Sequence, residues 1–237
     1  MEITEVHAKR ILELLSHGLV SGLGTPEPGK MCIEAVVNHA LGRPHGDDPG
    51  CVHESLRSLK IRLNDSNWSS NAARAKGLTR LGLAQLGSKG VLDTEEFRQR
   101  VNTLRIQMLV PIRFRIAAKK QKTAEHRGLL EAAALMLEQA PTRDNCIKAR
   151  DTANNVYKAA DEAADAAAYA AAYAAAYAAA DADADEAADA AADADRDKIL
   201  SDFAEAVVQI LIDMKAPGCK WLELAPLASL TNERVSS

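Results

Sequence analysis

Residues able to ligate a metal, attack as nucleophiles or move protons crowd into one stretch of the chain, where Cys32, His39, His45, Asp47, Asp48, Cys51 and His53 lie close together. Cys32, His45, Cys51 and His53 offer the sulfur and nitrogen that tetrahedral zinc takes. Their spacing weakens that reading, because no C-x2-C or H-x3-H knuckle is present and Cys51 and His53, two apart, point to different sides of any helix that has begun there. A Cys-dependent hydrolase or transferase is the second possibility: Cys32 in the first turn of a helix, its thiolate favoured by the macrodipole, with His45 as base. His39 shares a face with Cys32 but stands two turns, about 10 Å, along the helix. No nucleophile motif surrounds Cys32, and a cysteine on an apolar helix face beside Ala35 and Val36 is commonly a core residue. Catalysis is therefore the lesser expectation, and no cofactor is expected.

A second cluster is built for binding. Arg57, Lys60, Arg62, Asn64, Trp68, Ser69, Ser70 and Asn71 put cations, amides, hydroxyls and one large ring around a helix-loop-helix. Ser69 and Ser70 fall at a helix start, where free backbone N–H groups receive phosphate or carboxylate. Arginine can fork two oxygens, and tryptophan can stack a ring. These residues predict a site for a small anionic ligand, although Trp68 also suits a core anchor and Ser70 a plain cap. No Walker loop, G-x-G-x-x-G, G-x-S-x-G or H-E-x-x-H occurs, which removes the enzyme classes those motifs serve.

The elements that must position these residues are helical. Apolar residues recur at helical spacing in Ile3 to Leu15, Lys30 to Leu41, Val52 to Leu63 and Lys198 to Met214. Ser69 or Ser70 can cap a helix ending near Leu86 before Gly87, and Asp93 with Glu96 starts another that runs to Met108. Pro111 is expected to break or kink that helix. The alternation Ile112-Arg113-Phe114-Arg115-Ile116 has a strand's period but is too short and isolated for a sheet, so it reads as helix or extended linker. Helices follow over 124–139 and from Thr142.

From Tyr157 to Asp197 a Tyr or Asp stands at every fourth position among alanines. Alanine is the best helix former, so helix is expected throughout. Four residues advance about 400° on a helix, so the stripe drifts about 40° per repeat and cannot stay on one face. Unbroken, the 157–197 helix would also span about 62 Å, which a domain of this size cannot cover. A reversal is expected near Asp181, setting Tyr177 opposite Asp185, Tyr173 opposite Asp189 and Tyr169 opposite Asp193.

Pro28-Gly29-Lys30-Met31-Cys32-Ile33-Glu34-Ala35, Gly42-Arg43-Pro44-His45-Gly46-Asp47, Asn64-Asp65, Trp68-Ser69-Ser70-Asn71 and the late Ala-Tyr/Ala-Asp repeat together resemble uncharacterised cytoplasmic proteins of bacteria and their phages. The resemblance implies a prokaryotic or phage setting and assigns neither activity nor site.

With 237 residues, 47% of them hydrophobic and 4% aromatic, the chain can bury a real core. The net charge of -4 is unevenly spread: nine Lys or Arg against Glu125 over 98–127, but twelve Asp or Glu against Lys158 and Arg196 over 151–197. That acidic half makes duplex nucleic acid an unsuitable partner. Four scattered cysteines, no apolar run long enough to span a bilayer and no signal-like start point to a cytoplasmic protein without a membrane partner. The expectation is an all-α protein: a compact multi-helix body of 1–150 with 198–224, a long Ala-rich helical hairpin over 151–197 and a tail over 225–237. Its expected role is non-catalytic binding of a small anionic ligand, a nucleotide or signalling nucleotide foremost. The alternative is a structural or assembly module using the Ala-Tyr arm, and a homo-oligomer is compatible with either.

Overall fold

The computed structural model describes residues 2–159, 162–177 and 193–227. Among these the protein is all-α, with nine α-helices, one 3-10 helix and no strand beyond an isolated Gly24–Met31 bridge. The helices are α1 (Glu5–Leu15), α2 (Ile33–Ala40), α3 (Glu54–Asp65), α4 (Asn71–Ala84), α5 (Thr94–Lys120), α6 (Ala124–Gln139), α7 (Arg143–Ala159), α8 (Glu162–Tyr177) and α9 (Asp193–Asp213), with the 3-10 helix at Pro217–Leu224. No described helix is long and apolar enough to cross a membrane.

Buried side chains form two cores. The first joins Ile11 and Leu14 of α1, Ile33 and Val37 of α2, Leu56 and Leu63 of α3, Leu78 of α4, Phe97 of α5 and Phe203 and Val207 of α9. These are the helical-period apolar positions of each segment, so amphipathicity alone turns the faces inward. Trp68 anchors the α3–α4 corner: its ring is buried and its Nε1 donates to the Leu63 carbonyl at 2.8 Å. The ring has room because position 77 carries no side chain, since a Cβ on Gly77 would lie 2.4 Å from Trp68 Cη2. Arg74 fastens the same corner by donating to the Asn64 and Leu19 carbonyls and to Asn71 Oδ1.

The second core is made by the C-terminal half of α5 (Val110, Phe114, Ala117) with α6, α7 and α8. Each helix packs on the next, and α8 returns to α5, which is the arrangement of a four-helix bundle. On α7 and α8 the buried positions are nearly all alanine: Ala149, Ala153, Ala168, Ala171 and Ala172. α5 belongs to both cores and couples them.

Pro111 does not end α5, which continues to Lys120. The proline removes the hydrogen bond to the carbonyl one turn back, but Leu109, Val110 and Phe114 are buried on either side of it and hold the helix together. The Ile112–Ile116 alternation is therefore helix. The expected continuity of helix from Tyr157 into the repeat is also corrected. Tyr157 lies on α7 and Tyr169 on α8, and their rings meet with centroids 6.0 Å apart, where one straight helix would separate them by about 18 Å. The reversal expected at Asp181, and the pairings with Asp185 and Asp189, lie outside the described residues.

Candidate functional site

The Cys32–His53 stretch and the Arg57–Asn71 stretch meet where the start of α2 packs against α3. Cys32 is the N-cap of α2: its sulfur accepts from the Ala35 N–H at 3.4 Å. The next N–H, of Ile33, would be orphaned at a helix start and instead donates to Asn64 Oδ1 of α3 at 3.2 Å. Asn64 Nδ2 donates to the Val20 carbonyl and to Asp65 Oδ1, while Asp65 Oδ1 also accepts the Gly22 N–H at 2.7 Å. One amide thus ties α2, α3 and the 20–24 loop together.

Behind this knot lies a buried charge pair. Glu34 of α2 and Lys60 of α3 are both fully buried, with Nζ 2.9 Å from Oε1. Oε1 holds the Lys60 ammonium as an ion pair, and Oε2 has no further donor. Asn38 Oδ1, His45 Nδ1 and Arg57 Nε, from the same part of the fold, are likewise buried without a hydrogen-bond partner. Asn38 follows Glu34 by one turn, and its Nδ2 holds the 43–50 loop through the Gly46 carbonyl at 2.8 Å. Burial pushes the Glu34 carboxyl up despite Lys60, and pushes the Lys60 ammonium down despite Glu34. Desolvation opposes both charges, and their mutual pairing is what offsets that cost.

A cavity of about 90 Å³ opens beside Glu34, lined also by Gly22, Leu23, Cys32, Ile33, Asp47, Ile61, Asn64 and Asp65. Three of those residues, Glu34, Asp47 and Asp65, carry carboxylates, so the cavity is acidic although α3 beside it is rich in Arg and Lys.

The proposed anion-binding residues are placed as follows. Arg57 pairs with Asp48 at 2.7 Å, and Asp48 is held below the usual carboxylate range by the Gly50 N–H and by Arg57. Lys60 faces Glu34. Asn64 and Trp68 hold the α3 end, and Asn71 accepts from Arg74. Ser70 caps α4, its hydroxyl accepting the Ala73 N–H. Ser69 gives its N–H, at 2.9 Å, and its hydroxyl to the Asp197 carboxylate of α9. Asp197 thus occupies the helix-start position where an external anion was expected. Arg62 is exposed on the outer face of α3.

The nucleophile and zinc candidates are similarly placed. Burial pushes the Cys32 thiol up, outweighing the Ala35 and Glu34 N–H groups that pull it down. The sulfur is therefore a thiol at neutral pH and a poor nucleophile. His45 Nε2 is 3.1 Å from the Gly24 carbonyl, not on Cys32. Burial also raises the Cys51 thiol, and His53 caps α3 with its Nε2 3.0 Å from the Thr94 hydroxyl. Among the described residues no group of three or more His, Cys, Asp or Glu could hold a metal ion.

Glu34 was missed in sequence. Its signal was available: it stands among Ile33, Ala35, Val36 and Val37 in a helix too apolar to leave one side facing water. Comparison with protein-family models, with curated proteins and with solved structures yields no match, so the chain's functional reading rests on the geometry of this site.

Proposed function

We propose that the protein binds a small polar ligand, without catalysis, in the cavity between α2, α3 and the 20–24 loop. One observation carries the reading: the cavity gathers Glu34, Asp47, Asn64 and Asp65 from three separate segments, and the buried Glu34 Oε2 has no hydrogen-bond donor. Buried polar atoms are normally satisfied by protein, water or ligand, and leaving one bare costs about 1–3 kcal/mol. A volume of about 90 Å³ is well below the ~300–1,000 Å³ that enclose drug-sized molecules. A nucleotide would reach this site only by one end, so a ligand of few atoms suits it better. The raised Cys32 thiol, and a His45 ring engaged with the Gly24 carbonyl, favour binding over catalysis.

A thermal-shift panel of alkylammonium salts, acetamide, acetate, phosphate and a nucleoside monophosphate tests this on the wild type and on Ile61→Trp, which fills the cavity. A ligand at 100 times its dissociation constant adds about 2.7 kcal/mol, a rise of roughly 5–10 °C for a chain of this size. At least one class should shift the wild type and leave Ile61→Trp unmoved. Silence from every class would overturn the reading.

A second reading, assembly through the α7–α8 face, is supported by the exposed row Tyr157, Tyr169 and Tyr173, whose rings lie 6.0 and 6.4 Å apart. Light scattering tests it: the mass should rise above one chain with concentration in the wild type and stay at one chain in Tyr169→Ala.

A further inference from the structure

We propose that Arg43, Arg57 and Lys89 form a second binding site over the 48–50 loop, for the phosphoryl group of a small phosphate or phosphate ester. None of the three lines the cavity, so the site stands apart from the cavity reading.

The three cations come from separate segments and converge on one turn. Arg43 follows α2, Arg57 lies in the first turn of α3, and Lys89 lies between α4 and α5. The Lys89 N–H donates to the Cys51 carbonyl at 3.1 Å, which joins its segment to the loop. Asp48 marks the centre: its Oδ1 accepts the Gly50 N–H at 2.9 Å, and its Oδ2 pairs with Arg57 at 2.7 Å. The Gly50 N–H, Arg57 and Lys89 together hold its carboxyl below the usual range. The Arg43 guanidinium rests against Gly50, where a Cβ would come within 2.3 Å of Nη1. Gly50 also has φ +63°, so both the turn and the guanidinium require glycine there.

Charge narrows the class of ligand. Asp48 takes up Arg57, while the side chains of Arg43 and Lys89 have neither an ion pair nor a hydrogen bond among the described residues. Of the other acids in these segments, Asp47 lines the cavity, and exposed Glu54 pairs with none of the three cations. Arg43 is half-buried, so its guanidinium has given up part of its water without gaining a protein acceptor. Guanidinium and ammonium groups only donate, so the ligand must bring acceptors and negative charge. Two unmatched positive charges suit a phosphoryl group, which carries about −1.5 to −2 near pH 7 and offers three acceptor oxygens. A carboxylate brings one charge and two oxygens in a plane, whereas a tetrahedral phosphoryl group can engage more than one cation at a time.

The experiment follows amide chemical shifts of the full-length protein in two-dimensional NMR at about pH 7.5, where a phosphoryl group is mostly dianionic. Inorganic phosphate and methyl phosphate are the probes, with acetate and chloride at equal ionic strength as comparisons. Saturable shifts of the Gly50, Cys51 and Lys89 amides with either phosphate, and none with acetate or chloride, support the inference. A response to inorganic phosphate alone identifies the free ion, and tighter binding of methyl phosphate identifies an ester. Arg43→Ala should weaken the apparent affinity at least about tenfold, and Lys89→Ala, an exposed change, about twofold to fivefold. Arg43→Lys, which keeps the charge but loses the planar fork, should fall between wild type and Arg43→Ala. If Arg43→Ala fails to fold, Lys89→Ala decides. Ile61→Trp should leave the phosphate response unchanged, which keeps this site distinguishable from the cavity. Silence from both phosphates, equal saturation by acetate, a phosphate response unchanged in Arg43→Ala and Lys89→Ala, or one lost in Ile61→Trp would overturn the inference.

Discussion

The core around Trp68 and the bundle that carries Tyr169 bury their helices by different means. The first uses large, varied side chains, Trp68, Phe97, Phe203 and many Leu and Ile, and admits a Glu34–Lys60 pair, Gln85 and Arg74 to its interior. The second has Phe114, Leu130 and Leu137 on one side and almost only alanine on α8. Each buried alanine removes little apolar area from water at about 25 cal/mol per Å², so α8 is held by close backbone approach. Polar groups are divided accordingly. The first core keeps charges inside, where they are costly if stripped of a partner. The bundle pairs charges at its surface, as in Arg115 with Glu138, both about one-third exposed. Glu34 Oε2, Asn38 Oδ1, His45 Nδ1 and Gln85 Oε1, buried polar atoms without a hydrogen bond, gather on the side of the first core.

The largest effect expected from this contrast is at the buried pair. Lys60→Met leaves Glu34 uncompensated and should cost about 3–5 kcal/mol in urea denaturation, whereas Glu34→Gln/Lys60→Met should recover most of that loss. If the single and double variants are equally unstable, the interior pair is not the distinguishing feature of the first core.

Overpacking probes the bundle. Ala171 is fully buried on α8, and Ala171→Leu should cost about 1–3 kcal/mol by forcing apart helices that approach over alanine. A neutral or stabilising result would mean that the α8 interface is loose. The comparison variant in the first core, Gly77→Ala, meets Trp68 and should cost a similar amount.

A smaller, pH-dependent effect comes from the bundle surface. The Arg115 hydrogen bond holds the Glu138 carboxyl below its ordinary value of 4.5. A depressed carboxyl contributes stability above its unfolded value, and that contribution fades as pH falls from about 4.5 through the folded value. Glu138→Gln should therefore be less stable than wild type by at most about 1 kcal/mol at pH 7, with the gap closing below about pH 4. Glu34 has the opposite sign. Its raised carboxyl takes up a proton in the folded state first, so the burial penalty is relieved as pH falls from its folded value toward 4.5.

The smallest effect is expected at Tyr169. It is 57% exposed, so Tyr169→Ala should change chemical stability by no more than about 0.5 kcal/mol. A larger loss would make the Tyr row part of the folded bundle's support.

Amino-acid order alone determined the helical class and most helix limits. Ser70, Asp93 and Thr123 cap the helices they precede, and the apolar stripe of 199–211 faces inward, because caps and 3.6-residue periodicity are local properties. Ile112–Ile116 was legible only in part, since a period-2 run can be carried by a helix when neighbouring turns bury Phe114. The site residues were legible as a set and not in their roles. Lys60 and Arg57 read as a cationic face, and only packing turned Lys60 inward onto Glu34 and Arg57 onto Asp48. Ser69 read as an anion receptor, and a carboxylate 128 residues away took the position. The acidic character of the cavity was decided at the same level: Glu34, Asp47 and Asp65 belong to three separate segments, and their shared space arises from how α2 crosses α3, a long-range relation that no local spacing encodes.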